Sequence, residues 1–195
     1  RERAKKMSEI NIPVAVVDIL AMSGDYQAKR PGVTVGQTLP NDDEVLAKAG
    51  RKILIYKNIL EGFEPNLEVL GKLVDSNLHQ YVRVRGSVNF TVAHEIGHSL
   101  GPKNTVKKDE AGKPILVRTA LGKWQNIIEE LKADLAGIYV MPYLVEKGIY
   151  SEVEAKEVFV SGGLRDVIPL NKPDLEKDAH VVGRLMRLNY FLKEG

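Results

Sequence analysis

The stretch VNFTVAHEIGHSLGP, Val88 to Pro102, decides how the rest of the chain is read. It sets one acid between two histidines in an otherwise mostly uncharged segment that closes on a Gly-Pro pair. Gly101-Pro102 is a helix stop, and the residues from Ser87 to Leu100 before it read as one helix. On a helix, positions i and i+4 share a face, so His94 and His98 can each present a ring nitrogen to one ion. Glu95 projects from the neighbouring side, where a carboxylate can act as base toward a metal-activated water without ligating the metal. With four histidines in the chain, an H-E-x-x-H match by chance is expected on the order of one time in a hundred.

Two histidines leave a catalytic zinc site one protein ligand short. The segment IIEELKADLAG, on the longest helical pattern of the chain (about Ala120 to Lys147, closed by Gly148), supplies candidates. Glu129 and Glu130 are adjacent and point about 100° apart on a helix, so only one faces the ion. Glu130 has Asp134 four residues on, along the same face, whereas Glu129 has Ala133. A ligand carboxylate accompanied by a second acid that accepts the outer N–H of a ligating histidine is how such sites are built. Glu130 is therefore expected as the third ligand and Asp134 as the residue that orients a histidine.

The composition agrees with metal held by these residue types alone. Cysteine is absent, which removes disulfides, thiolate zinc sites and cysteine nucleophiles together. Lysine and arginine total 28 against 26 acids, with no run of like charges, so nucleic acid is not expected as a partner. No stretch has the roughly 18 apolar residues that span a bilayer, and the first segment has no signal-peptide core, so no membrane partner and a cytoplasmic location are expected. With 195 residues and 44% apolar side chains, the chain can bury a real core with a smaller appended part.

Along the chain, IPVAVVDIL, GVTVGQTLP and KILIYK are strand candidates. Asn41 reads as the N-cap of a short helix over DDEVLAKA. From Pro65 the periodicity is helical: PNLEVLGKLV, the H-E-x-x-H helix, a polar loop over 103–114, the long pattern, a helix opened by a Ser151/Glu154 capping box, and a last one from Pro173 to about Lys193. The fold class expected is mainly α (α+β): a small mixed β/α segment at 1–64 and a helical zinc-binding catalytic domain at 65–195.

Taken together, HEIGH and EELKAD resemble the dipeptidyl peptidase III family of zinc peptidases, in particular its shorter bacterial members and the peptidase-like half of plant Nudix fusion proteins. GQTLPNDDEVLAKAGRKILIYKNIL and KDAHVVGRLMRLNYFL resemble further segments of that family, so the likeness covers nearly the whole chain. The resemblance implies zinc on His94, His98 and Glu130, with Glu95 as catalytic glutamate. It implies that His180 and Arg184 face the substrate, His180 as a catalytic group and Arg184 as a binding one, and that Asn41 lies on an edge holding a peptide backbone. His79 matches nothing and reads as a loop residue. HEIGH has one residue fewer between its histidines than dipeptidyl peptidase III proper, which places it in a shorter branch. The family is two-lobed and longer, so the chain reads as a fragment: 1–64 part of a lower lobe, an N-terminal lobe of the same protein its missing partner, and its isolated activity low.

The function expected is hydrolysis of short peptides by metal-activated water with a glutamate base. The alternatives are a non-catalytic zinc-binding scaffold and a zinc hydrolase of another amide or ester.

Overall fold

In the computed structural model, residues 13–21, 34–39, 52–62, 71–167 and 178–194 are described, together with the single positions 45, 50 and 69. The chain divides into two compact units, Arg1–Phe63 and Glu64–Gly195. The helix expected after Asn41, Asn41 itself and Pro173 fall wholly or largely outside the described residues; of the helix expected over 65–74, Val69 and Gly71 are helical and Lys72 to Val74 form a turn and bend.

In the first unit, strands β1 (Val14–Val17), β2 (Gly36–Leu39) and β3 (Lys52–Tyr56) form one sheet in the order β1-β3-β2. The central strand pairs parallel with β1 and antiparallel with β2. Its β-branched residues alternate, so Ile53 and Ile55 are wholly buried on one face while Leu54 and Tyr56 look the other way. Helix α1 (Lys57–Glu61) follows directly, and the Asn58 side chain clamps the chain after β1: it accepts from Ile19 N–H at 3.1 Å and donates to Ile19 O at 2.9 Å.

The second unit is helical. A 3₁₀ turn (Ser76–Tyr81) leads into α2 (Val84–Gly97), and a hairpin of β4 (Asn104–Lys108) and β5 (Pro114–Leu116) follows. After it come α3 (Val117–Leu121), α4 (Gln125–Tyr139), α5 (Met141–Glu146), α6 (Glu152–Val167) and α7 (Ala179–Glu194). Phe90, Ala93, Met141, Ala155 and Val158 make its buried core, with Ile138, Leu144 and Tyr150 packed against it. This is the mainly helical architecture with a minor sheet on the N-terminal side that the sequence pattern implies. No helix among the described residues is long and apolar enough to cross a membrane.

Glycines set how closely the helices approach. A Cβ on Gly97 of α2 would stand 2.5 Å from Ala133 O of α4, and one on Gly137 of α4 would stand 3.1 Å from Ala93 of α2. The two helices that carry the candidate ligands therefore touch backbone to backbone. On the other side of α2, Gly86 meets the Glu157 carbonyl of α6 in the same way, and Gly162 of α6 meets the Phe90 ring. Ser161 of α6, fully buried, accepts from Arg83 N–H at 3.2 Å and so fixes the start of α2.

Three elements differ from the sequence expectation. The helix of Ser87–Leu100 begins three residues earlier and ends at Gly97, where Ser99 and Leu100 N–H tighten the exit by bonding Ile96 O and Gly97 O. The polar loop of 103–114 is a hairpin. Its Val106 is fully exposed, so alternation there reports no burial, and the turn is built by Asp109, whose carboxylate accepts from Ala111 and Lys113 N–H. The single long helix of 120–147 is four pieces: the end of α3, a 3₁₀ turn (Gly122–Trp124), α4 and α5. Gly122 (φ 53) cannot continue a right-handed helix, and Pro142 lacks the N–H that an uninterrupted helix would use, so it opens α5 instead. His79 lies in the 3₁₀ turn, its ring 3.0 Å from Val74 O, rather than in an open loop. The Ser151 and Glu154 side chains form the reciprocal capping box at α6.

Candidate metal centre

Three helices supply the site. The last turns of α2 bring His94 and His98 to its crossing with α4, α4 presents Glu129, Glu130 and Asp134, and the first turns of α7 add His180 and Arg184. His94 Nδ1 bonds Asp134 Oδ1 at 2.6 Å, and His98 Nδ1 bonds Glu129 Oε1 at 3.2 Å. A carboxylate accepts only, so each Nδ1 carries a proton and Nε2 is the nitrogen through which each neutral ring would ligate a metal. Those two Nε2 atoms face each other at 3.0 Å. Glu130 Oε2 stands 3.3 Å from one and 3.7 Å from the other.

This donor set fits a metal ion. His94, His98 and Glu130 each offer one ligand atom, all within 4.8 Å of one another. A tetrahedral zinc with bonds of 2.0–2.1 Å spaces its ligand atoms by roughly 3.3 Å, close to the 3.0, 3.3 and 3.7 Å edges of the triangle. Glu130 Oε2 is buried and makes no hydrogen bond, although His180 Nε2 is also within 3.1 Å. Three imidazole nitrogens thus crowd one buried carboxylate oxygen, an arrangement that a shared cation satisfies.

The same groups perturb one another's protonation. Burial acts to lower the His94 pKa, yet the hydrogen bond to Asp134 and the pull of Glu130 outweigh it and raise it to about 9. Burial likewise acts to raise the Glu130 and Asp134 carboxyls. Both instead sit below their usual range, Glu130 because of His94, His180 and His98, and Asp134 because of His94, Arg187 and Arg184.

Glu95 is buried, one residue beyond His94 in the last two turns of α2. His180 is about half exposed, with Nδ1 3.6 Å from Asp178, whose carboxylate also accepts from the N–H groups of His180 and Val181 at the start of α7. Arg184 lies near enough to lower Asp134, and its Nε is buried without a hydrogen-bond partner. Asn41 lies outside the described residues.

Three residues escaped the sequence reading. Glu129, set aside because Ala133 follows it at i+4, holds His98 from outside. Lys132, given no role by the sequence, bonds Glu129 at 2.6 Å. Arg187 is wholly buried, 3.3 Å from Asp134 Oδ2, with its guanidinium over the Phe90 ring at 5.4 Å. The available signal was spacing: Arg187 falls seven residues after His180, on the same face of α7, and Lys132 falls three after Glu129.

The class that fold and site define is a helical unit whose two-histidine, one-carboxylate centre is assembled from an H-E-x-x-H helix and a second helix. No known protein-family profile matches the chain. Its structure neighbours are dipeptidyl peptidase III structures. That of the Caldithrix abyssi protein superposes with a TM-score of 0.81 at 31% identity, over 95% of this chain and 34% of that one. That of the Corallococcus sp. strain EGB protein gives 0.77 at 30% identity, over 93% and 33%. In sequence the chain is also 28% identical, over 193 residues, to Nudix hydrolase 3 of Arabidopsis thaliana, an alignment covering 94% of this chain and 23% of that protein. The chain thus spans about a third of the length of the peptidase structures and about a quarter of the plant protein.

Proposed function

We propose that this chain is the metal-bearing portion of a zinc-dependent peptidase that hydrolyses short peptides. The observation that carries the reading is the convergence of two Nδ1-anchored imidazoles on a buried Glu130 oxygen that makes no hydrogen bond. The likeness to dipeptidyl peptidase III structures supports a hydrolase of the peptidase type, and zinc is the ion that two histidines, one carboxylate and no thiolate favour.

His94, His98 and Glu130 would hold the zinc, which supplies Lewis acidity toward water and the scissile carbonyl. Glu95 takes the proton of the attacking water and delivers it to the leaving amine, the work of a general base that becomes a general acid. His180 Nε2, 3.1 Å from Glu130 Oε2 and half open to solvent, would donate to the oxyanion that develops on the carbonyl. Arg184, with its Nε unused, binds the substrate backbone from the next turn of α7. Asp134 and Glu129 keep the imidazole protons on the outer nitrogens, so both Nε2 atoms stay available as ligands.

The test compares wild type with Glu95→Gln in the full-length protein, both zinc-loaded, on a panel of short peptides. The amide cannot accept a proton, so the variant should keep its zinc and lose turnover by about 10²- to 10⁴-fold. Turnover within a few-fold of wild type would reject Glu95 as the base, and a wild type that takes up no zinc would reject the reading as a whole.

A further inference from the structure

One cation outside the proposed chemistry is positioned to act on it. The Lys132 ammonium on α4 lies 2.6 Å from Glu129 Oε1 and donates to Leu100 O at 2.9 Å. That same Glu129 oxygen accepts from His98 Nδ1 at 3.2 Å. Leu100 is two residues beyond His98, in the tightened turn that ends α2. The lysine stem passes over Gly101, where an added Cβ would stand 3.6 Å from Cδ and the backbone takes φ +97, a conformation suited to glycine. One side chain of α4 therefore grips both the exit of α2 and the carboxylate that holds His98.

We propose that Lys132 is a positioning residue for the metal centre: acting through Glu129, it fixes the orientation and tautomer of His98. The inference rests on the zinc reading above. Glu129 is about a third exposed, and holding such a side chain in one rotamer costs about as much as a single hydrogen bond to an imidazole contributes. The contact with His98 alone would leave Glu129 free to turn into water. A second, charge-assisted bond on the same oxygen holds it in place. Removing the cation would also make the surroundings more negative and so favour a metal cation. Lys132 is itself about a third exposed, however, and water and salt screen that contribution, so the loss of positioning dominates.

Zinc affinity measured by competition with a chromophoric chelator tests this, on wild type, Lys132→Met, Lys132→Arg, Glu129→Ala and the Lys132→Met/Glu129→Ala pair. The visible spectrum of the cobalt-loaded proteins gives a second readout of ligand geometry. Lys132→Met should weaken zinc about 10-fold and alter the cobalt spectrum, the lower end of what outer partners of ligating histidines contribute. Lys132→Arg should stay within about threefold of wild type. In the Glu129→Ala background the methionine should add less than about twofold, because its action passes through Glu129. Affinity in Lys132→Met equal to or tighter than wild type would overturn the proposal, as would effects that multiply in the double variant. If wild type binds zinc and these outcomes occur, the positioning role alone fails; if wild type binds none, the functional reading fails too.

Discussion

The two imidazoles of the centre are held by the same device in opposite surroundings. His94, Asp134 and Arg187 form a buried arm whose side chains are 11%, 6% and 1% exposed. His98, Glu129 and Lys132 form an outer arm at 19%, 33% and 32%. In each, a histidine donates outward to a carboxylate and a cation stands behind that carboxylate. Burial changes what holds them. In the inner arm the desolvated charges are locked to one another, because an unpaired member would be left in a low-dielectric interior. In the outer arm water competes for every group, so geometry depends on a lysine that is itself strapped to the Leu100 carbonyl.

If that contrast is right, the shared ligand outweighs either arm. Glu130→Ala should reduce near-stoichiometric metal to trace levels by elemental analysis, while Asp134→Ala and Glu129→Ala still fill at high zinc concentration. The next largest effect separates the arms by stability. Arg187→Met removes one of the cations around buried Asp134, leaving His94 and Arg184 beside it, and should destabilise the metal-free chain by about 2–3 kcal/mol in urea unfolding. Lys132→Met should lower stability by no more than about 1 kcal/mol, since its ion pair is partly solvated. Equal losses would erase the distinction. Smallest is the difference between the carboxylates in chelator competition: Asp134→Ala should weaken zinc toward about 100-fold and Glu129→Ala nearer about 10-fold, the span known for such outer partners. The reverse order would show that exposure does not decide their contributions.

The site was legible where periodicity and chemistry coincide. His94 and His98 at i,i+4, and Glu130 with Asp134 along one face of the next helix, could be read from spacing because helical geometry turns sequence distance into spatial direction. The capping box at Ser151 was legible for the same local reason. What the sequence concealed are contacts between elements. Glu129 was set aside on an intrahelical argument, yet it meets His98 from another helix; Arg187 reads as one more arginine until α7 is packed against α4. The short hairpin of β4 and β5 was missed because it buries nothing, and the breaks at Gly122 and Pro142 were overridden by an apolar pattern that runs through them. The glycines at the crossing of α2 and α4 could not be assigned to close approach before the two helices were known to touch.

The most direct test of the account is the zinc K-edge X-ray absorption spectrum of the zinc-loaded chain. The account predicts one four-coordinate zinc per chain, with the outer-shell scattering of two imidazoles and oxygen in the remaining positions, and no more than trace zinc signal from Glu130→Ala prepared in the same way. A zinc with fewer than two imidazoles, or a wild-type spectrum and zinc content retained in Glu130→Ala, would contradict it.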